Sequence, residues 1–259
     1  MKKILMMAAM VSMLASCGGN GAKKAEAPAE DNANTVVLFD GSSTEGWRGY
    51  GMETLPARWT IEDGCLKING SGGGEAHVAD GGDIIFAAQK FKNFELELEW
   101  KVAKGSNSGI FILAQEVKKE DGTYEPIYIS SPECQVLDNE NHPDARMGKD
   151  GNRMSSSLYD MIPAKPQNAK PAGEWNKLRI LCYKGTVAHF QNDEQVVEYH
   201  LWTPQWTEML QASKFSQEKW PVAFELLNNC GGENHEGYIG FQDHGDDVWF
   251  RNIKVTILD

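Results

Sequence analysis

Residues 94–100 read Phe-Glu-Leu-Glu-Leu-Glu-Trp, a strict alternation of apolar and acidic side chains. At a spacing of two, Phe94, Leu96, Leu98 and Trp100 share one face of an extended chain, whereas a helix would scatter them around its circumference. Similar runs at residues 109–114, 133–137, 177–183, 186–191 and 248–258 each predict a strand. Clusters of Gly, Asn, Asp and Pro punctuate them, for example Lys104-Gly105-Ser106-Asn107 and Asn192-Asp193-Glu194. One helix is predicted over residues 204–214, where Pro204 suits the first turn and Trp206, Met209 and Leu210 fall on one side. Many short strands, one short helix and no fixed repeat predict an all-β sandwich or jelly roll of antiparallel sheets.

Two polar stretches, residues 139–154 and 163–173, break the pattern. Loops of that length in a compact domain are usually functional or disordered. They flank the run with the most chemistry, which favours function.

The N-terminus follows a different rule. Lys2 and Lys3 precede an apolar run from Ile4 to Leu14, closed by Leu14-Ala15-Ser16-Cys17. This is the layout of a secretory signal, too short to cross a bilayer as a helix of about 20 residues. Ending in small residues before a cysteine, it resembles a lipoprotein signal, which implies lipidation of Cys17. Residues 18–34 carry no periodic apolar positions and read as a flexible tether. The expected organisation is a signal over residues 1–16, a tether over 17–34 and one domain over 35–259. The expected location is the cell envelope, most consistent with the outer membrane, because no aspartate follows Cys17. Membrane contact is then through the lipid alone.

A formal net charge of -12 argues against a nucleic-acid partner, which needs a basic patch. Cys65, Cys134, Cys182 and Cys230 lack CxxC spacing, so they do not suggest zinc. Disulfides and buried thiols are equally compatible with them.

Candidate chemistry concentrates after residue 132. In Glu133-Cys134-Gln135-Val136-Leu137-Asp138, parity sends Cys134 and Val136 to the core and Glu133 and Gln135 together to the other face, about 7 Å apart. Asp138, Asn139 and His142 follow where the strand enters its loop, and Tyr159 lies a little further on. Gln242 and His244 share a face, with Phe241 opposite. Arg251 interrupts Trp249, Ile253 and Val255, all of one parity, where it requires a carboxylate or a bound anion. Asn107 opens another strand. His189 reads as a satisfied core or surface histidine rather than a catalyst. Trp47 and Trp175 are candidates for stacking on sugars, with core packing the better reading for each.

Leu38-Phe39-Asp40-Gly41 with Gly46-Trp47, Trp59 with Asp63-Gly64, Asn107-Ser108-Gly109-Ile110-Phe111 and Glu133-x-Gln135-x-Leu137-Asp138 together resemble the 3-keto-disaccharide hydrolase family. Gly173-Glu174-Trp175-Asn176, Gly240-Phe241-Gln242-Asp243-His244 and Phe250-Arg251-Asn252-Ile253 continue the match to the C-terminus. The closing block looks like exported members from Bacteroides-type bacteria. The resemblance implies a concanavalin A-like jelly roll that acts on glycosides whose C3 hydroxyl has been oxidised to a ketone. Residues 201–229 form an insert that departs from the family pattern, so the resemblance does not define the rim of the site.

A C3 ketone acidifies the C2 proton, so a base can form an enolate and expel the oxygen at C1; the product is either released as an unsaturated keto-sugar or takes up water, for net hydrolysis. On this reading Glu133 or His142 is the base, Arg251 or His244 stabilises the enolate, and Asp138 positions or protonates. Gln135, Asn107, Gln242, Asn139 and Tyr159 hold the sugar. A divalent ion on Asp138 and His142 is an alternative to the arginine. Two rivals are a conventional retaining glycoside hydrolase, which needs two carboxylates about 5–5.5 Å apart, and a non-catalytic carbohydrate-binding lipoprotein.

Overall fold

The computed structural model describes residues 34–71 and 81–259. The signal, Cys17 and all but the last residue of the tether lie outside them. Among the described residues are thirteen strands, the first seven being β1 (Thr35–Phe39), β2 (Trp47–Gly49), β3 (Trp59–Glu62), β4 (Cys65–Ile68), β5 (Ile84–Phe86), β6 (Phe94–Val102) and β7 (Asn107–Ala114). They continue with β8 (Glu133–Leu137), β9 (Asn176–Tyr183), β10 (Thr186–Gln191), β11 (Glu194–His200), β12 (Tyr238–Phe241) and β13 (Val248–Ile257). All pairings are antiparallel. The larger sheet is ordered β11-β10-β9-β6-β13-β4-β3 with β1 on β13, and the smaller is β2-β5-β12-β7-β8. The result is a concanavalin A-like jelly-roll sandwich.

Alternation decides which faces meet. Phe94, Leu96, Leu98, Trp100 and Val102 of β6 are buried in one core with Ile110 and Ile112 of β7 and Cys134 and Val136 of β8. Each such apolar side chain contributes about 1.5–3 kcal/mol by leaving water. The acidic positions between them, Glu95, Glu97 and Glu99, stay partly exposed on the outer face of the larger sheet. Trp47, Trp59 and Phe250 stack around Phe241. Trp47 also donates from Nε1 to the Leu38 carbonyl at 2.7 Å, so it is a core residue.

The last strand corrects one expectation. Asn252 adopts φ +54 and the pairing with β6 slips between Arg251 and Lys254. Such a bulge shifts the parity of everything beyond it. Val248, Phe250, Ile253 and Val255 all face the core, while Trp249 and Arg251 point outward. Arg251 therefore does not interrupt an apolar face. It donates from Nε and Nη2 to the Glu99 carboxylate at 2.9 and 3.2 Å, and its guanidinium lies 3.9 Å from the centre of the Trp175 ring. Trp175 is thus covered by a cation on the outer face of the larger sheet.

The four described cysteines are buried free thiols. His189 is a core residue, with Nδ1 2.8 Å from the Ser156 carbonyl; burial pulls its pKa down to about 4. Inside the insert, α1 (Pro204–Gln211) is joined by a second helix, α2 (Pro221–Asn228), which the apolar pattern did not separate from its surroundings. Thr203 caps α1 by accepting from the Trp206 amide, and α1 stops three residues before Lys214.

Candidate active site

The outward face of the smaller sheet supplies the floor of a cavity of about 320 Å³. β7 and β8 pair with Gly109 opposite Gln135 and Phe111 opposite Glu133. Glu133, Gln135 and Asn107 all line the cavity, as their parity predicts, and Gln242 and His244 reach it from the end of β12. Gly109 is a requirement of this layout, because a Cβ there would collide with the Glu133 carboxylate.

Two segments wall the floor. The first follows β8 and is pinned by a framework of hydrogen bonds. Asp138 accepts from the Gly105 amide at 2.7 Å, the Glu140 amide at 3.1 Å and Asn141 Nδ2 at 2.8 Å. Burial pushes its pKa up, but these donors outweigh that and hold the carboxylate below its usual range. Asn139 Oδ1 accepts from the Ser155 amide at 2.8 Å, and the Ser155 hydroxyl donates to the Leu137 carbonyl at 2.7 Å. Asp138 and Asn139 are therefore builders of the loop; neither lines the cavity. The loop carries His142, Pro143, Asp144 and Met147 over the sheet. His142 Nδ1 accepts from the Asp144 amide at 3.2 Å. Burial, and then the neighbouring His244 ring, pull its pKa below the ordinary imidazole value.

Asp144 is held from two sides. Arg153 Nη1 donates to it at 3.0 Å, and Tyr159 donates its hydroxyl proton at 3.0 Å. Arg153 also reaches Asp160 at 2.7 Å. Tyr159 lines the cavity as expected, and burial followed by the Glu133 and Asp144 charges raises its pKa.

The insert provides the second wall, with Lys214 and Trp220, both packed beside Tyr128. The Lys214 amide donates to Asp160 at 3.0 Å, and its Nζ sits 4.4 Å from the centre of the Tyr159 ring. Burial pulls the Lys214 pKa below the ordinary lysine value, an effect that the Glu133 and Asp160 carboxylates offset only in part. This lysine stands where the sequence pointed to Arg251. A lone lysine in a polar stretch has no periodicity to mark it, nor do Asp144, Tyr128 or Trp220.

Two acceptors in the cavity are notable. Asn107 Oδ1 and Gln242 Oε1 are buried with no hydrogen-bond partner among the described residues. A buried, unmatched carbonyl costs about 1–3 kcal/mol, so these suit a ligand that donates hydroxyl protons. Among the described residues, the group whose side chains could hold a metal is His142, His244 and Asp246, with ligand atoms within 4.8 Å of one another. Of the pair expected from sequence, His142 belongs to this set; Asp138 does not, its oxygens being committed to the loop.

A jelly roll with a polar, half-enclosed cleft on one sheet defines the class. Within it, residues 34–256 match the family model described as a 3-keto-alpha-glucoside-1,2-lyase-like domain, and the chain belongs to that family. A 3-keto-disaccharide hydrolase of Bacteroides thetaiotaomicron is 73% identical over 228 residues, 86% of this chain and 78% of that protein. Among solved structures, a candidate glycosyl hydrolase of Parabacteroides distasonis ATCC 8503 superposes with a TM-score of 0.69 at 24% identity, covering 87% of this chain and 94% of that one. A Bacillus subtilis protein described as having a galectin-like fold gives 0.50 at 16%, over 86% and 94%. These two likenesses speak to the fold alone.

Proposed function

We propose that this protein cleaves 3-keto-glycosides, such as 3-keto-glucosides or 3-keto-disaccharides, by removing the C2 proton and eliminating the C1 substituent. Glu133 takes the proton, and the C2–H electrons form an enolate whose negative O3 faces the Lys214 ammonium. The enolate reforms the ketone as the C1–O bond breaks, and the departing oxygen takes up the proton that Glu133 removed. Water added across C1 and C2 of the resulting enone gives the free 3-keto sugar, so the net reaction is hydrolysis. Asn107, Gln135 and Gln242 hold hydroxyls.

One observation carries this reading. The cavity is lined by Glu133 and Lys214 together, and its second carboxylate, Asp144, is held by Arg153 and Tyr159. Double-displacement hydrolysis of an ordinary glycoside needs two carboxylates with freedom to act on either side of the bond. Elimination next to a ketone needs one base and one cation.

The test is product analysis by NMR after incubation with a 3-keto-glucoside and its unoxidised parent. Cleavage of the keto substrate alone is expected. Cleavage of the parent at a similar rate would support the retaining hydrolase instead, and cleavage of neither would leave a binding protein. The 73% identical relative carries the name of the same activity, which supports the choice of substrate. We also propose that the chain is exported and held at the cell envelope through lipid on Cys17; labelling with radioactive palmitate should occur in the wild type and vanish in Cys17→Ser.

A further inference from the structure

We propose that His142, His244 and Asp246 bind a divalent transition-metal ion whose open coordination positions face the cavity. There they take the ketone and an adjacent hydroxyl of the substrate. The ion half stands on these residues alone; the substrate half rests on the 3-keto reading.

Two loops converge to make the site. His244 and Asp246 flank Gly245, whose φ of +90 turns the chain so that His244 Nδ1 and Asp246 Oδ2 come within 3.7 Å. The His142 ring meets the His244 ring edge-on, with centroids 5.7 Å apart. Two imidazoles side by side cannot both carry charge cheaply, and His244 already faces the Asp246 carboxylate at ion-pair range. A cation between them uses both lone pairs and the carboxylate together. Asp246 is oriented from behind by the Asn107 amide, which donates to Oδ2 at 3.0 Å. Such support behind a ligand is the usual companion of a metal site.

A second observation points the same way. The side-chain oxygen of Asn107, on a residue only 4% exposed, has no hydrogen-bond partner among the described residues and lines the same cavity. It offers a fourth donor, to the ion or to water upon it.

Two imidazoles and one carboxylate suit Zn²⁺, Mn²⁺, Fe²⁺ or Ni²⁺ rather than Ca²⁺ or Mg²⁺. On such an ion, with bonds of about 2.1 Å, donors stand about 3–3.5 Å apart, so the present spread of 4.8 Å closes by about an ångström on loading. Binding through Nε2 places the remaining proton of His142 on Nδ1, so its contact from the Asp144 amide gives way. An α-hydroxyketone is a chelating pair of oxygens, which a plain glycoside lacks at C3. Chelation polarises the carbonyl and acidifies C2–H in front of Glu133.

The experiment strips the full chain with a chelator and titrates Zn²⁺ and, separately, Mn²⁺ by calorimetry. The expected result is one ion per chain, with affinity lowered at least 100-fold in His244→Ala and Asp246→Asn and unchanged in the surface variant His200→Ala. Circular dichroism checks that each variant is folded. Loading should also move the His142 imidazole ¹⁵N shifts to the Nδ1-protonated pattern. Absence of stoichiometric binding, or wild-type affinity in both folded ligand variants, would overturn the site. Full turnover of a 3-keto-glucoside by the stripped protein would overturn its role while leaving the proposed reaction standing. Stoichiometric binding without any keto-glycoside cleavage would confirm the ion and sink the reaction.

Discussion

Replacing Gly109 by alanine adds one methyl group to the floor of the cavity and tests the position of Glu133 without touching its chemistry. A Cβ at residue 109 would stand 2.9 Å from Glu133 Cδ and 3.0 Å from Cγ, and closer still to Oε1. Ordinary contacts begin at 3.4 Å, so the carboxylate must swing away by at least about half an ångström. The backbone at Gly109 lies outside the left-handed region, so alanine brings no strain of its own. Its effect on stability should be small, with about 0.4–1 kcal/mol gained through the unfolded chain set against about 1–3 kcal/mol of crowding. A misplacement of about 1 Å can cost about 100-fold in rate, so kcat on a 3-keto-glucoside should fall about 10- to 100-fold with Tm moved by only a few degrees. Steady-state kinetics on Gly109→Ala, Glu133→Gln and the double variant form the assay. Because the methyl acts through Glu133, the double variant should be no slower than Glu133→Gln alone. A folded Gly109→Ala protein with wild-type kcat would refute the reasoning that Glu133 must sit where it does.

Other outcomes follow from the same geometry. Lys214→Met removes the cation beside Glu133 and should lower kcat about 100- to 1,000-fold with a smaller change in KM; a loss under threefold would remove Lys214 from the reaction. Arg251→Gln should leave kcat within twofold and cost about 1 kcal/mol at most, since its partner Glu99 is a part-exposed surface carboxylate; a large drop in kcat would return Arg251 to the site. His189 stays neutral in the fold down to about pH 4 but takes its proton near 6.5 when unfolded. Between those values the unfolded state binds more protons, so stability should fall as pH drops through that window, by about 3 kcal/mol in all. Urea denaturation across it should show the slope, reduced in His189→Gln; equal slopes would place the pH dependence elsewhere.

Much of the sandwich was legible in advance because strands with one buried face write their orientation into alternate residues. The run from Phe94 to Trp100 needed nothing beyond parity, and the same rule put Glu133 and Gln135 on one face with Cys134 and Val136 on the other. It failed at Asn252, where one residue in the left-handed region shifted the count and moved Arg251 from an apparent core position to the outside. It was silent about α2, whose apolar residues blend with the loops around them, and about Lys214, Asp144 and Trp220.

What the sequence determined by itself was what alternation along the chain carries: six of the thirteen described strands, their faces as far as Asn252, and the two clusters around Glu133 and Gln242. The tertiary structure decided which distant segments meet. It brought Lys214 into the cavity that Glu133 lines, 81 positions away in number, set His142 beside His244, and committed the Asp138 and Asn139 side chains to hydrogen bonds within their loop. The physical reason is that periodicity reports burial against a local axis. An active site is built by long loops whose positions come from hydrogen bonds and packing with partners that no local pattern names.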